Sequence, residues 1–89
     1  MKHPTTIATY PESLTQLAQE LGDLRYDALA TFLSDLSTKI AEDGQKDRSR
    51  NRVQLATALD TAAQALAQAK IAIDEAWRIS EPYMPPINE

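Results

Sequence analysis

Between residues 55 and 80 the apolar positions fall on a heptad. Leu59, Leu66 and Ile73 repeat every seven residues, and Leu55, Ala62, Ala69 and Ala76 form a second row three or four positions away. This is the a/d pattern of a helix packed lengthwise against other helices. The flanking g positions are Ala58, Ala65, Ala72 and Ile79, and the e positions are Ala56, Ala63, Lys70 and Trp77. The apolar surface is therefore four positions wide, whereas one neighbouring helix covers only an a/d seam. A second neighbour is implied.

Upstream, a helical period runs through Leu14, Leu17, Leu21, Leu24 and Ala28, then shifts by about one residue to Leu29, Phe32, Leu33, Leu36 and Ile40. Thr9-Tyr10-Pro11-Glu12 has the spacing of a capping box, which predicts a helix start there, after a loose tail over residues 1–8. Gly22 interrupts the run and predicts a bend within one long helix over about 10–43. Gly44 reads as a C-terminal cap, and the polar stretch Gln45 to Ser49 as a turn over about 44–50, with Asp47 or Ser49 capping the next helix. That second helix is predicted over about 50–80, ending before Glu81-Pro82. Residues 81–89 read as an extended, Pro-rich tail.

The predicted architecture is all-α: one domain spanning residues 1–89, built as a long antiparallel helical hairpin and assembling as a dimeric four-helix bundle. The chain supplies two long helices and the stripe needs a further neighbour, which a second copy provides most economically. The interface is expected at Leu55, Leu59, Ala62, Leu66, Ala69, Ile73, Ala76 and Trp77, against Leu17, Leu21, Leu24, Leu29, Phe32, Leu36 and Ile40. The competing arrangement is a monomer in which the segment up to Gly22 forms its own helix, covers the open face and makes a three-helix bundle.

Composition agrees with helices and narrows the chemistry. The chain has 89 residues, two Gly and abundant alanine in its second half. A formal charge of −4 disfavours a surface that grips nucleic acid or anionic lipid as a whole. The absence of cysteine removes disulfides, zinc-thiolate sites and thiol nucleophiles, and makes a reducing, cytoplasmic setting the expectation. No stretch predicts a leader or a membrane span.

Three groups are candidates for chemistry. Lys46, Arg48, Arg50 and Arg52 cluster at the predicted turn, a candidate anion-binding site unless Glu42, Asp43 and Asp47 neutralise it. Glu20, Asp23 and Asp27 share a helical face, but the only histidine is His3 in the tail, and no partner motif on the second helix completes a metal site, so no metal or cofactor is expected. Trp77 should lie at a helix interface, with Tyr83 and Met84 in the tail able to fold back or to serve a partner's groove. No histidine is placed to activate a serine, and no Gly-rich phosphate loop is present. The function expected is that of a small non-catalytic protein–protein interaction module, with a nucleic-acid-associated regulator using the basic turn as the alternative.

Overall fold

The computed structural model describes residues 3–84, and they are helical without a strand among them: α1 (Leu14–Gly22), α2 (Tyr26–Ser49), α3 (Val53–Ser80) and a 3₁₀ turn (Glu81–Tyr83). The radius of gyration is 16.0 Å, against about 12 Å for a compact domain of this length. The shape is that of an elongated antiparallel pair, α2 against α3, with α1 as a separate short helix.

The first helix begins later than its capping-box reading. Tyr10 N–H closes a turn onto Ile7 C=O at 2.9 Å, and Ser13 is the N-cap, its Oγ accepting from Gln16 N–H at 3.0 Å. Ser13-x-x-Gln16 has the same spacing as Thr9-x-x-Glu12, and it lies directly ahead of the apolar run, where the unsatisfied amides are. The expected single helix over 10–43 is likewise two helices. It breaks at Asp23–Arg25 rather than bending at Gly22. Arg25 takes an extended backbone (φ −55°, ψ 143°) and becomes the N-cap of α2. Asp27 then sits in the first turn of α2, where the helix dipole favours a carboxylate, and accepts Ala28 N–H at 2.9 Å.

Gly44 is not a cap. It lies buried inside α2 against α3: a Cβ placed on it would stand 2.8 Å from Asp60 Oδ1, whose carboxylate would have to turn aside, and in ordinary contact at 3.5 Å with the Ala56 carbonyl oxygen and Leu59 Cβ. The helix continues to Ser49 and ends in a Schellman motif: Arg52 N–H bonds Asp47 C=O at 2.8 Å, Asn51 N–H bonds Arg48 C=O at 3.1 Å, and Asn51 has φ 63°. The turn is thus Arg50–Arg52 instead of 44–50. Neither Asp47 nor Ser49 caps α3, since Ser49 Oγ donates back to Lys46 C=O at 2.7 Å. At the far end α3 stops at Ser80 as expected, but Glu81–Tyr83 winds into the 3₁₀ turn in place of an extended tail. Pro85 and Pro86 lie outside the described residues.

Small residues at heptad spacing form the seam between α2 and α3. Ala30, Ser37 and Gly44 on α2 face a row on α3 that contains Ala56 and Ala63. Ser37 Oγ donates to Ala63 C=O at 2.7 Å, a side chain of one helix touching the backbone of the other, which demands close approach of the axes. Ala30, Ala56 and Ala63 are the buried hydrophobic residues, at 2%, 0% and 6% exposure, and among the described residues no large side chain is fully buried.

Candidate interaction face

The seam uses the e row of α3, so the rows expected to carry assembly are divided. Leu59, Leu66 and Ile73 lie about 40° from the e row and are half-buried against α2. Leu55, Ala62 and Ala69 lie about 100° from it and are exposed, with Leu55 at 47%, while Ala76 of the same row is half-buried. The g row is farther round still: Ala58, Ala65, Ala72 and Ile79 are all exposed, Ile79 at 56%. One neighbouring helix thus covers half of the stripe.

An antiparallel pair has a local two-fold axis perpendicular to its plane, so equivalent rows of the two helices fall on the same side. Ala30, Ser37 and Gly44 on α2 correspond to Ala56, Ala63 and Lys70 on α3. The positions just before them, Leu29 and Leu36 on α2 and Leu55, Ala62 and Ala69 on α3, therefore share one side with Leu33, Ile40, Leu59, Leu66 and Ile73, with Asp43, paired to Lys39, the exception. The positions just after them, Thr31, Thr38, Gln45, Thr57 and Gln64, make the other side polar, with Ile71 the exception. The hairpin as a whole has one apolar side and one polar side. His3, ahead of α1, lies close enough to Asp43 of α2 for its charge to help lower the pKa of that carboxyl. The outer rows of α3 remain exposed. A separate α1 is what the three-helix arrangement called for, but it does not close that face.

The basic turn is partly neutralised within the chain. Arg48 is paired with Asp60 of α3, and Arg52 with Asp47 at 3.4 Å. Asp43, expected to screen the turn, is instead held by Lys39 at 2.8 Å; that bond, more than the charges of Lys39, Lys46 and His3, keeps its carboxyl below the usual carboxylate range. Asp60, thirteen residues beyond Asp47, is a partner that spacing along one helix does not reveal. Lys46 and Arg50 make no ion pair among the described residues. Asn51, Arg52, Val53, Gln54 and Leu55 line a shallow, open depression of about 420 Å³ at this tip.

The acidic group is dispersed. Glu20 accepts from Tyr10 Oη at 2.7 Å and from Gln16 Nε2 at 3.2 Å. Partial burial, and then the bond to Glu20, push the Tyr10 phenol up to about 12. Asp27 takes both Nε and Nη2 of Arg25, at 2.7 and 2.8 Å, and that paired hydrogen bond holds its carboxyl below 3.8. Among the described residues no three His, Asp or Glu side chains converge to hold a metal ion. The same Arg25 guanidinium lies 5.1 Å from the centroid of the Trp77 ring, a cation–π contact that ties the start of α2 to the end of α3 and leaves Trp77 half-buried.

No protein family, curated protein or solved structure matches this chain. Among the described residues no helix is long and apolar enough to cross a membrane.

Proposed function

We propose that the protein is a small non-catalytic protein–protein interaction module, a helical hairpin that self-associates into a four-helix bundle and acts as an adaptor, regulator or accessory subunit. The observation that carries this reading is the uncovered apolar face of α3, from Leu55 to Ile79, on a chain whose described residues include no large side chain that is fully buried. The accessible surface is 7076 Å², roughly a third more than the about 5,200 Å² typical of a compact monomer of 9.9 kDa. Contiguous exposed apolar surface, here running from Leu55 at 47% to Ile79 at 56% exposure, is the usual mark of an association site. Two of the four cations at the turn are satisfied by Asp47 and Asp60, which favours a structural role for that cluster.

Light scattering coupled to gel filtration at tens of micromolar tests the reading. The expected mass is about twice 9.9 kDa. Ala65→Asp, at an exposed position, should give a monomer that keeps its helical circular dichroism, because it sets a charge on the face without entering the seam. A wild-type monomer throughout that range would end the proposal.

A further inference from the structure

We infer that α3 pairs with α3 of a second copy, antiparallel, in one register: Leu55 against Ile79 of the second copy, Ala58 against Ala76, Ala62 against Ala72, and Ala65 against Ala69. This rests on the reading of the outer face as an association surface and specifies who occupies it and how.

The argument is the palindromic order of side chains along α3. Read in either direction, the d and g rows begin with one large aliphatic residue and continue with alanine, so each end meets its complement when the helix is laid against an inverted copy. Antiparallel helices stack their core in layers that join one core row of the first helix to the other core row of the second. The four pairs above are those layers, and all eight positions are used. A slip of one heptad strands Leu55 or Ile79 and loses a layer. A two-fold axis makes the contact isologous, so self-complementarity of this kind is what a closed dimer requires.

The flanks select direction. On one side of the outer face stands the a row, Leu59, Leu66 and Ile73; on the other stands the polar c row, Thr61, Gln68 and Glu75. Antiparallel pairing brings a row to a row, Leu59 beside Ile73 of the second copy and Leu66 beside its equivalent, and leaves Glu75 beside a threonine rather than beside another carboxylate. Parallel pairing would set each leucine row along the partner's polar row and bury less. No d or g position carries a charge, so none is desolvated by the contact. Close approach across alanine is already realised in this chain, where Ala63 is within hydrogen-bonding reach of Ser37.

Because the chain has no cysteine, engineered cysteine pairs read the register directly. Ala62→Cys with Ala72→Cys, both at exposed positions, should oxidise to a covalent dimer at least tenfold faster than either Ala58→Cys with Ala69→Cys, which reports a one-heptad slip, or Ala62→Cys or Ala72→Cys alone, each of which reports parallel pairing. The pair Ala58→Cys with Ala76→Cys belongs to the same register and should behave as the first does. In each pair the two cysteines are too far apart along the helix to close on one another. A wild-type dimer whose fastest crosslink is the slipped or the parallel probe overturns the register and leaves self-association standing. A wild-type monomer in light scattering, with no crosslink from any probe, overturns both.

Discussion

Replacing Ala63 by leucine should destabilise the protein, although it adds an apolar side chain to an apolar seam. Ala63 is 6% exposed, and its carbonyl oxygen lies 2.7 Å from Ser37 Oγ on the facing helix. A leucine there adds three carbon atoms, whose full burial would contribute at most about 2.4 kcal/mol at roughly 0.8 kcal/mol per methylene. The seam has no room for them. To seat them α2 and α3 must separate toward the 8–10 Å axial distance typical of larger contact residues. That separation weakens the contacts of Ala30, Ala56 and Gly44 together and breaks the Ser37 hydrogen bond, worth about 1 kcal/mol. Overpacking of a close seam costs about 1–3 kcal/mol net. In a domain of this size each kcal/mol moves Tm by about 4–8 °C, so the midpoint should fall by about 5–20 °C. The assay is thermal unfolding by circular dichroism at one fixed protein concentration, with Gln64→Leu, exposed on the polar side, as the control expected to shift Tm by less than about 3 °C, since surface changes usually stay within ±0.5 kcal/mol. A Tm for Ala63→Leu equal to or above wild type would refute the close seam.

The turn and the ionisable groups give two more expected outcomes. Asn51 at φ 63° closes the Schellman motif, so Asn51→Val should cost about 1–2 kcal/mol, as a β-branched residue in the left-handed region does; Asn51→Gly should be neutral or mildly stabilising by chemical denaturation, and equal midpoints for Val and Gly would contradict that assignment. Asp27, Asp43 and Glu75 are held below their ordinary values of 3.8, 3.8 and 4.5, chiefly by hydrogen bonds from Arg25, Lys39 and Arg78. Their stabilisation is therefore present above those values and is lost as pH falls through the lower folded ones, whereas that of Tyr10, raised from 10.0 to about 12, is present below pH 10.0 and is lost as pH climbs toward 12. Thermal melts from pH 7 down to 2 should show the acid loss, and an Asp27→Asn variant with an undiminished acid limb would exclude the Arg25 pair as a contributor.

The helix content, the antiparallel pairing and the end of α3 are all legible in the heptad and in Glu81-Pro82, because periodicity and proline act locally. Two of the departures share one cause. Intrinsic preference makes Gly22 a bend and Gly44 a cap, yet Gly44 stays helical where it packs, buried, against Ala56 and Leu59 of α3, a neighbour invisible to a local rule. The capping box at Thr9 gives way to a second signal of the same spacing, Ser13-x-x-Gln16, which lies directly ahead of the apolar run. The break at Asp23–Arg25 depends on Arg25 joining Asp27 to Trp77, fifty-two residues apart from it in the chain, which no window of sequence contains.

The interaction face is half legible, and the missing half lies in the partner helix. Along α3, alanine is equally good as a helix former and as a spacer, so the rows beginning at Ala56, Ala58 and Ala62 look alike. What separates them is the other side of the seam. Ala30, Ser37 and Gly44 are the only positions of α2 at heptad spacing where all three side chains are small, so α2 offers one groove along which another helix can lie closely, and α3 meets it with Ala56 and Ala63 of its e row. Ala56 and Ala63 fill that groove because the larger Leu59, Leu66 and Ile73 fit beside it rather than in it. Once α2 has taken the e row, the outer rows cannot also face it, since about 100° of rotation separates them. A seam made of small side chains leaves each helix with a broad apolar flank. The narrowness of the α2–α3 contact and the exposure of Leu55, Ala62, Ala65, Ala69 and Ile79 are therefore one fact of packing, set by the small row Ala30, Ser37 and Gly44.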